Sequence, residues 1–172
     1  MNDPWRYCPL CGHALSHRRD VSPVRKNCPA CGWIHYRNPA VGVAVAVVEE
    51  NRILLVERGE GRFRGDWCIP CGYLEWGEEI REGAEREMLE ETGLTVRATD
   101  IISVQSNFHD PDHLTVGIWF LGEGRQGSPR PGGDALQTRF FPLSAPPENM
   151  AFPTDLKVLE ILLARAKGET EP

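Results

Sequence analysis

Apolar positions along the chain fall into short blocks divided by polar, glycine-rich joints, and the spacing within each block predicts its element. Val41 to Val48 (VGVAVAVV) is the longest apolar run. It is β-branched, has the length of a buried strand and stops at the polar turn Glu49-Glu50-Asn51. Arg52 to Glu57 (RILLVE) reads as a second strand, and the two together predict a hairpin. Trp67 to Leu74 (WCIPCGYL) reads as extended chain leading into a helix rich in Glu, Arg, Met, Ala and Leu, with Gly93 as its stop. Thr95 to Gln105 and Leu114 to Leu121 read as strands around the turn-rich Ser106 to His113. Gly122 to Asp134, with five glycines and two prolines, reads as a flexible loop, and Ala135 to Leu143 as a strand. Pro153 to Lys167 predicts a closing helix with Pro153 in its first turn, Gly168 beyond its end and Leu156, Leu159, Leu163 and Ala166 as the core stripe.

A length of 172 residues with 41% hydrophobic content suits one medium domain plus a small module. No apolar run approaches the roughly 18 residues of a membrane span, and the N-terminus lacks a basic-then-apolar leader, so no membrane partner is expected and the cytoplasm is the default location. The net charge of −6 is unevenly spread. Residues 1–38 hold six Lys/Arg against two acids, whereas the rest holds 13 against 23. The shift marks a boundary near Asn38-Pro39, giving domains at 1–38 and 39–168 and a tail at 169–172. The acidic body argues against general nucleic-acid binding, which needs phosphate-neutralising cations. Arg58 to Asp66 (RGEGRFRGD) is the basic exception: a glycine-rich loop near a phosphate-bearing ligand, or an ordinary exposed loop.

Four of the six cysteines repeat one frame, Cys8-Pro-Leu-Cys11-Gly and Cys28-Pro-Ala-Cys31-Gly, separated by 16 residues. Proline fixes φ, glycine permits the turn after the second thiol, and four thiolates at this spacing suit a closed, tetrahedral, structural Zn²⁺. So short a segment cannot bury enough surface to fold alone, and the metal is expected to supply the folding energy of this ribbon. His13, His17 and His35 are then surplus as ligands. Cys68 and Cys71 form a third Cys-x-x-Cys, but residues three apart in extended chain point to opposite faces, which predicts two diverging, buried thiols.

The densest chemistry lies between Gly72 and Leu94. On a helix Glu87, Glu90 and Glu91 project from one side, repelling one another by roughly 0.2–0.5 kcal/mol per pair. Arg86 and a divalent cation are the candidates to answer that charge. Carboxylates so grouped suit Mg²⁺ or Mn²⁺, and the chemistry this favours is displacement at phosphorus.

The full spacing, Gly72-x5-Glu78-x7-Arg86-Glu87-Met88-x-Glu90-Glu91-x-Gly93-Leu94, resembles the Nudix box at every fixed position. The resemblance covers roughly residues 39–167 and implies an α/β fold: an α/β/α sandwich with a mixed sheet, preceded here by the ribbon. It implies Glu87 and Glu91 as main metal ligands, Glu90 as a further ligand or the base, the Gly72 carbonyl as another ligand, and Arg86 pairing with Glu78 or a neighbouring glutamate. It also implies one carboxylate outside the box; Asp134 is available, while Gln137 stands where a glutamate is expected. The reaction implied is hydrolysis of a nucleoside diphosphate linked to another moiety, on a small nucleotide substrate, and a homodimer is an expectation for relatives of this size.

NADH pyrophosphatases share a four-cysteine ribbon, but their Ser-Gln-Pro-Trp-Pro-Phe-Pro-x-Ser segment has no match at Ser103 to Phe108. The chain more closely resembles a ribbon-bearing group that includes plant FAD and ADP-ribose pyrophosphatases, through Tyr36-Arg37-Asn38-Pro39, Pro70 to Glu75 and Met150-Ala151-Phe152. ADP-linked FAD or ADP-ribose, releasing AMP, therefore leads. The alternatives are a nucleoside triphosphate-sanitising pyrophosphohydrolase and a ribbon-mediated nucleic-acid or protein-binding module with weak catalysis. An adenine or flavin ring needs an aromatic or apolar surface, for which Trp67, Tyr73, Trp76, Phe108 and Trp119 are available.

Overall fold

The structure, a computed structural model, describes residues 4–18, 24–111 and 113–168; the 169–172 tail lies outside them. Two compact units divide the chain, Met1–Pro39 and Ala40–Pro172. Among the described residues no helix is long and apolar enough to cross a membrane.

In the first unit the two cysteine frames fold alike. Gly12 N–H donates to Cys8 O at 2.9 Å and Gly32 N–H to Cys28 O at 3.0 Å, and both glycines hold positive φ, 72° and 78°. Cys8 N–H then reaches His13 O, and Cys28 N–H reaches Trp33 O. Strands β1 (Ser16–Arg18) and β2 (Arg25–Asn27) pair antiparallel between the two frames. His35 stacks on Trp33, ring centres 5.6 Å apart, beside Trp5.

The second unit is built on β3 (Ala40–Ala46), β4 (Val48–Glu49), β5 (Arg52–Arg58), β6 (Trp67–Cys68), β7 (Cys71–Tyr73), α1 (Ile80–Thr92), β8 (Thr95–Asn107), β9 (Thr115–Gln126), β10 (Ala135–Pro142) and α2 (Pro153–Ala166). One sheet runs β7-β3-β9-β8 and is mixed, with β3 parallel to β9 and the other pairs antiparallel; the other runs β10-β5-β4, with β6 also on β5. From Val43 onward both faces of β3 are buried. Val43, Val45 and Val47 meet Ala84 and Met88 of α1, while Ala44 and Ala46 share a core with Val158, Leu159 and Leu162 of α2. A strand covered on both faces reads as a continuous apolar run rather than an alternating one, and the sheet lies between helices in an α/β/α arrangement.

That double burial corrects the expected hairpin. Glu50 and Asn51 do make the turn, at φ 50° and 59°, but the pairing is short: Val48 and Glu49 pair with Ile53 and Arg52, and Leu54 N–H reaches Val47 O, because β3 belongs at the centre of the other sheet. The expected flexible loop also begins later. Gly122 to Gln126 continue β9, paired with the start of β8 across bulges, and from Gly127 onward the chain caps α1. Arg130 N–H donates to Thr92 O at 2.8 Å and Gly132 N–H to Glu91 O at 3.0 Å, satisfying carbonyls that a helix end leaves open.

In α2 the buried stripe is Thr154, Asp155, Val158, Leu159 and Leu162, one step out of phase with the expected one, and Leu156 is exposed. The buried face of α2 therefore carries an aspartate, Asp155, where the leucine spacing predicts an apolar stripe.

Candidate active site

Helix α1 begins under Glu79, whose carboxylate accepts from Arg81 and Glu82 N–H, and ends at Gly93 with φ 69°. Between them it presents Glu87, Glu90 and Glu91 on one side. Arg86 answers their repulsion with all five of its N–H donors. Nε and Nη2 hold Glu78 Oε1 and Oε2 at 2.7 and 2.9 Å, and Nη2 also reaches Tyr73 O at 3.2 Å. Nη1 reaches Glu87 Oε1 at 2.8 Å and Glu90 Oε2 at 3.3 Å. The hydrogen bond from Arg86, with that from Glu75 N–H, draws the Glu78 pKa down to about 2. Arg86 is itself raised by Glu78 and Glu87, so it stays charged.

Glu91 is only 5% exposed, and its Oε2 accepts from Cys71 N–H at 2.9 Å. Burial, with Asp134 and Glu87 nearby, pushes it to about 8. Glu87 is also raised, by burial against the pull of Arg86. Gly72 explains how the helix comes so close: a β-carbon there would overlap the Glu87 carboxyl.

Glu87, Glu91 and Gly72 border a cavity of about 480 Å³ between α1, the β3–β9 region and the start of α2. Arg86, Glu78 and Glu90 lie outside its lining, the first two as a brace and Glu90 with 54% of its side chain exposed. Asp134 lines the cavity, whereas Gln137 is an exposed residue of β10 opposite Glu57. The basic loop contributes Arg58, Arg62 and Phe63 to the same lining.

Three features escaped the sequence reading. Asp155, 1% exposed, also lines the cavity; its Oδ1 accepts from Trp119 Nε1 at 2.9 Å and its Oδ2 from Ile69 N–H at 3.0 Å. Burial raises it to about 7 against those two donors. The only signal was a carboxylate at the third position of a helix, on its apolar side. The Cys68 and Cys71 thiols do not diverge. Ile69-Pro70 carries the chain from one sheet to the other, so the extended geometry is lost, and the two thiols interact strongly enough that Cys68, together with burial, holds Cys71 well above its ordinary pKa. The aromatic surface also differs from the expected one. Trp67 is core, Trp76 is exposed and Phe108 is 72% exposed outside the cavity; Tyr73 and Trp119 line it, and Phe63, His109 and Phe152 join them.

In the first unit the ligand atoms of Cys8, Cys11, Cys28 and Cys31 all lie within 4.8 Å of one another, the one such group among the described residues. Cys8 to Cys31 and Cys11 to Cys28 are 3.5 Å, close to the ~3.8 Å between sulfurs that tetrahedral Zn–S bonds of ~2.3 Å require. Desolvation raises Cys28, but the N–H groups of Cys31 and Ala30 outweigh it and bring the thiol to about 6, so a thiolate, the form that binds metal, is favoured there.

Comparison with known proteins agrees with this geometry. A family model described as NUDIX domain matches residues 37–161, and the zinc-ribbon model described as Nudix N-terminal matches residues 6–37. An ADP-ribose pyrophosphatase of Methanocaldococcus jannaschii is 34% identical over 114 residues, 66% of this chain and 68% of that protein. An NAD-capped RNA hydrolase NudC of Pseudomonas aeruginosa is 29% identical over 172 residues, covering 97% of this chain but only 59% of that protein. Among solved structures, a NUDIX hydrolase from Nitrosomonas europaea superposes with a TM-score of 0.81 at 29% identity, over 96% of this chain and 94% of that one.

Proposed function

The chain belongs to the Nudix hydrolases, and from that premise we propose that it cleaves the pyrophosphate bond of a nucleoside diphosphate joined to a second group, ADP-ribose or FAD foremost, releasing AMP. One observation carries the reading: Glu87, Glu91 and Gly72 open into the same cavity as Arg58 and Arg62, so hard oxygen donors and guanidinium groups suited to phosphate share one surface. The names of two relatives support it, an ADP-ribose pyrophosphatase and a hydrolase of NAD-capped RNA.

Members of this family work with divalent cations, and the residues here fit one. Glu87, Glu91 and the Gly72 carbonyl, with Glu90 beyond them, would hold Mg²⁺ or Mn²⁺, for which oxygen donors of this kind are suited. A cation so bound neutralises phosphate oxygens and acidifies a water. The chain's own residues supply the rest. Arg86 fixes Glu87 against the Glu78 brace. Cys71 N–H orients Glu91 by its Oε2. Arg58 and Arg62 bind the diphosphate and oppose the negative charge of the carboxylates. Cys8, Cys11, Cys28 and Cys31 would hold a structural Zn²⁺ that takes no part in the reaction.

The test is a substrate panel with Mg²⁺ or Mn²⁺, comprising FAD, ADP-ribose, NADH, diadenosine polyphosphates and deoxynucleoside triphosphates, with products resolved. AMP together with FMN or ribose 5-phosphate is expected. A deoxynucleoside monophosphate with pyrophosphate as the sole products would refute the reading in favour of a triphosphate-sanitising enzyme.

A further inference from the structure

The cavity holds a second chemistry that its carboxylates do not use. Phe63, His109 and Phe152 come from the loop after β5, the segment after β8 and the N-cap of α2, yet their rings meet. His109 stacks on Phe152 with centres 4.8 Å apart and planes at 29°. Phe63 stands edge-on to both, 5.8 Å from His109 and 5.4 Å from Phe152. Phe63 and Phe152 rest against the small core of Val56, Cys68 and Ala151, so that end of the cluster is anchored. All three residues also border the cavity. Burial lowers the His109 pKa, which favours the uncharged imidazole ring.

Two guanidinium groups adjoin these rings. Arg58 lies 5.3 Å from the centre of Phe152 and Arg62 5.7 Å from that of Phe63. Arg58 also interacts electrostatically with Glu91 and Asp155. One side chain thus links the aromatic wall to the carboxylates. A nucleotide has the same order of parts: a flat π-face, a sugar, then phosphate.

We infer that the wall formed by Phe63, His109 and Phe152 is the docking face for the nucleobase of the substrate, and that these residues set its preference for a nucleotide over a sugar phosphate. The inference rests on the nucleoside diphosphate reading above. Base–aromatic stacking of this kind tolerates any base but requires one, so the wall selects for the presence of a base.

Titration calorimetry on the full chain, with AMP and ribose 5-phosphate as probes, tests it. AMP is expected to bind at least tenfold more tightly than ribose 5-phosphate. His109→Ala and Phe63→Ala are each expected to weaken AMP at least fivefold toward the sugar phosphate, and His109→Phe, which keeps a ring, to retain wild-type discrimination. Because Phe63 is partly packed, the half-buried His109 pair decides if Phe63→Ala fails to fold. Undetectable AMP binding, equal binding of the two probes, or wild-type discrimination in His109→Ala would overturn the inference. ADP-ribose hydrolysis by the wild type, measured in parallel, separates the two claims. Cleavage without discrimination removes the aromatic wall and leaves the reaction, whereas discrimination without cleavage removes the reaction and leaves the wall.

Discussion

Asp155 offers the sharpest test of the energetics of the cavity, because two large effects oppose each other there. Its carboxyl is 1% exposed, which penalises the charged form, while Ile69 N–H and Trp119 Nε1 each donate to one oxygen, which favours it. Burial wins, and the pKa rises from an ordinary value near 3.8 to about 7. The sign follows from proton linkage. Below about pH 4 the group is protonated in folded and unfolded chain alike, and its contribution to stability is intact. Between about pH 4 and pH 7 the unfolded chain releases the proton and the folded chain keeps it, so stability falls as pH rises. Above pH 7 the loss is complete. A shift of roughly three units at ~1.4 kcal/mol per unit places the full loss on the order of 4 kcal/mol.

Asp155→Asn removes the titration and keeps the shape. It also turns an NH₂ toward one of the two donors, which costs about 1–3 kcal/mol at any pH. In urea unfolding at pH 4.5 and pH 8, the variant is expected to be the less stable at the acid end and to recover several kcal/mol relative to wild type at the alkaline end. Parallel stability profiles would show that Asp155 titrates alike in both states. A wild type that gains on the variant as pH rises would show that the two donors, not burial, dominate.

The remaining expectations concern the box and the ribbon. Glu91→Gln should lower turnover on ADP-ribose at least tenfold, and more than Glu90→Gln, since Glu91 lines the cavity and Glu90 does not; wild-type rates in both variants would exclude the carboxylates from the reaction. Arg86→Ala leaves Glu78, Glu87 and Glu90 without their shared partner, so it should lower turnover at least tenfold, with Arg86→Lys recovering little because one ammonium cannot replace a bidentate fork; full rescue by lysine would sink the bracing role. Metal analysis should find about one zinc per chain, lost together in Cys8→Ser and Cys28→Ser; a ribbon that keeps its fold after zinc removal, read by NMR, would refute a structural metal.

Legibility tracked how local the determining physics was. The spacing from Gly72 to Gly93 was readable because a helix turns spacing into a common face, and Glu87, Glu90 and Glu91 do share one. The cysteine frames were readable because each repeats one turn, with glycine at positive φ after the second thiol. What depended on distant segments was not readable. Both faces of β3 are covered by helices with three strands between them in the chain, so an apolar run that looked like half a hairpin became a central strand. Asp155 took the place of a leucine on the buried stripe because its partners, Ile69 and Trp119, lie 86 and 36 residues away. Phe63, His109 and Phe152 meet through three unrelated segments, and no spacing rule connects them.

The crossing from Ile69 to Gly72 acts through its backbone rather than through the Cys68 and Cys71 thiols. Within four residues, Ile69 N–H holds Asp155 of α2, Cys71 N–H holds Glu91 of α1, and Gly72 gives Glu87 room. Three carboxylates from two helices are therefore placed by backbone, in the segment that passes from one sheet to the other. Substitution should then matter most where it changes the path of the backbone or the space beside it. Gly72→Ala is the clean case, since Gly72 has no positive φ to lose and the three atoms nearest the added methyl all belong to the Glu87 carboxyl. Turning Glu87 away breaks its 2.8 Å bond to Arg86, a charge-assisted contact of about 1.5–3 kcal/mol. Part of that loss falls on the reaction, where ~1.4 kcal/mol is tenfold in rate. Turnover on ADP-ribose should fall at least tenfold while the thermal midpoint, read by circular dichroism, moves by only a few degrees. A variant with turnover within threefold of wild type would show that Glu87 has room to move and that the close approach of Gly72 is incidental.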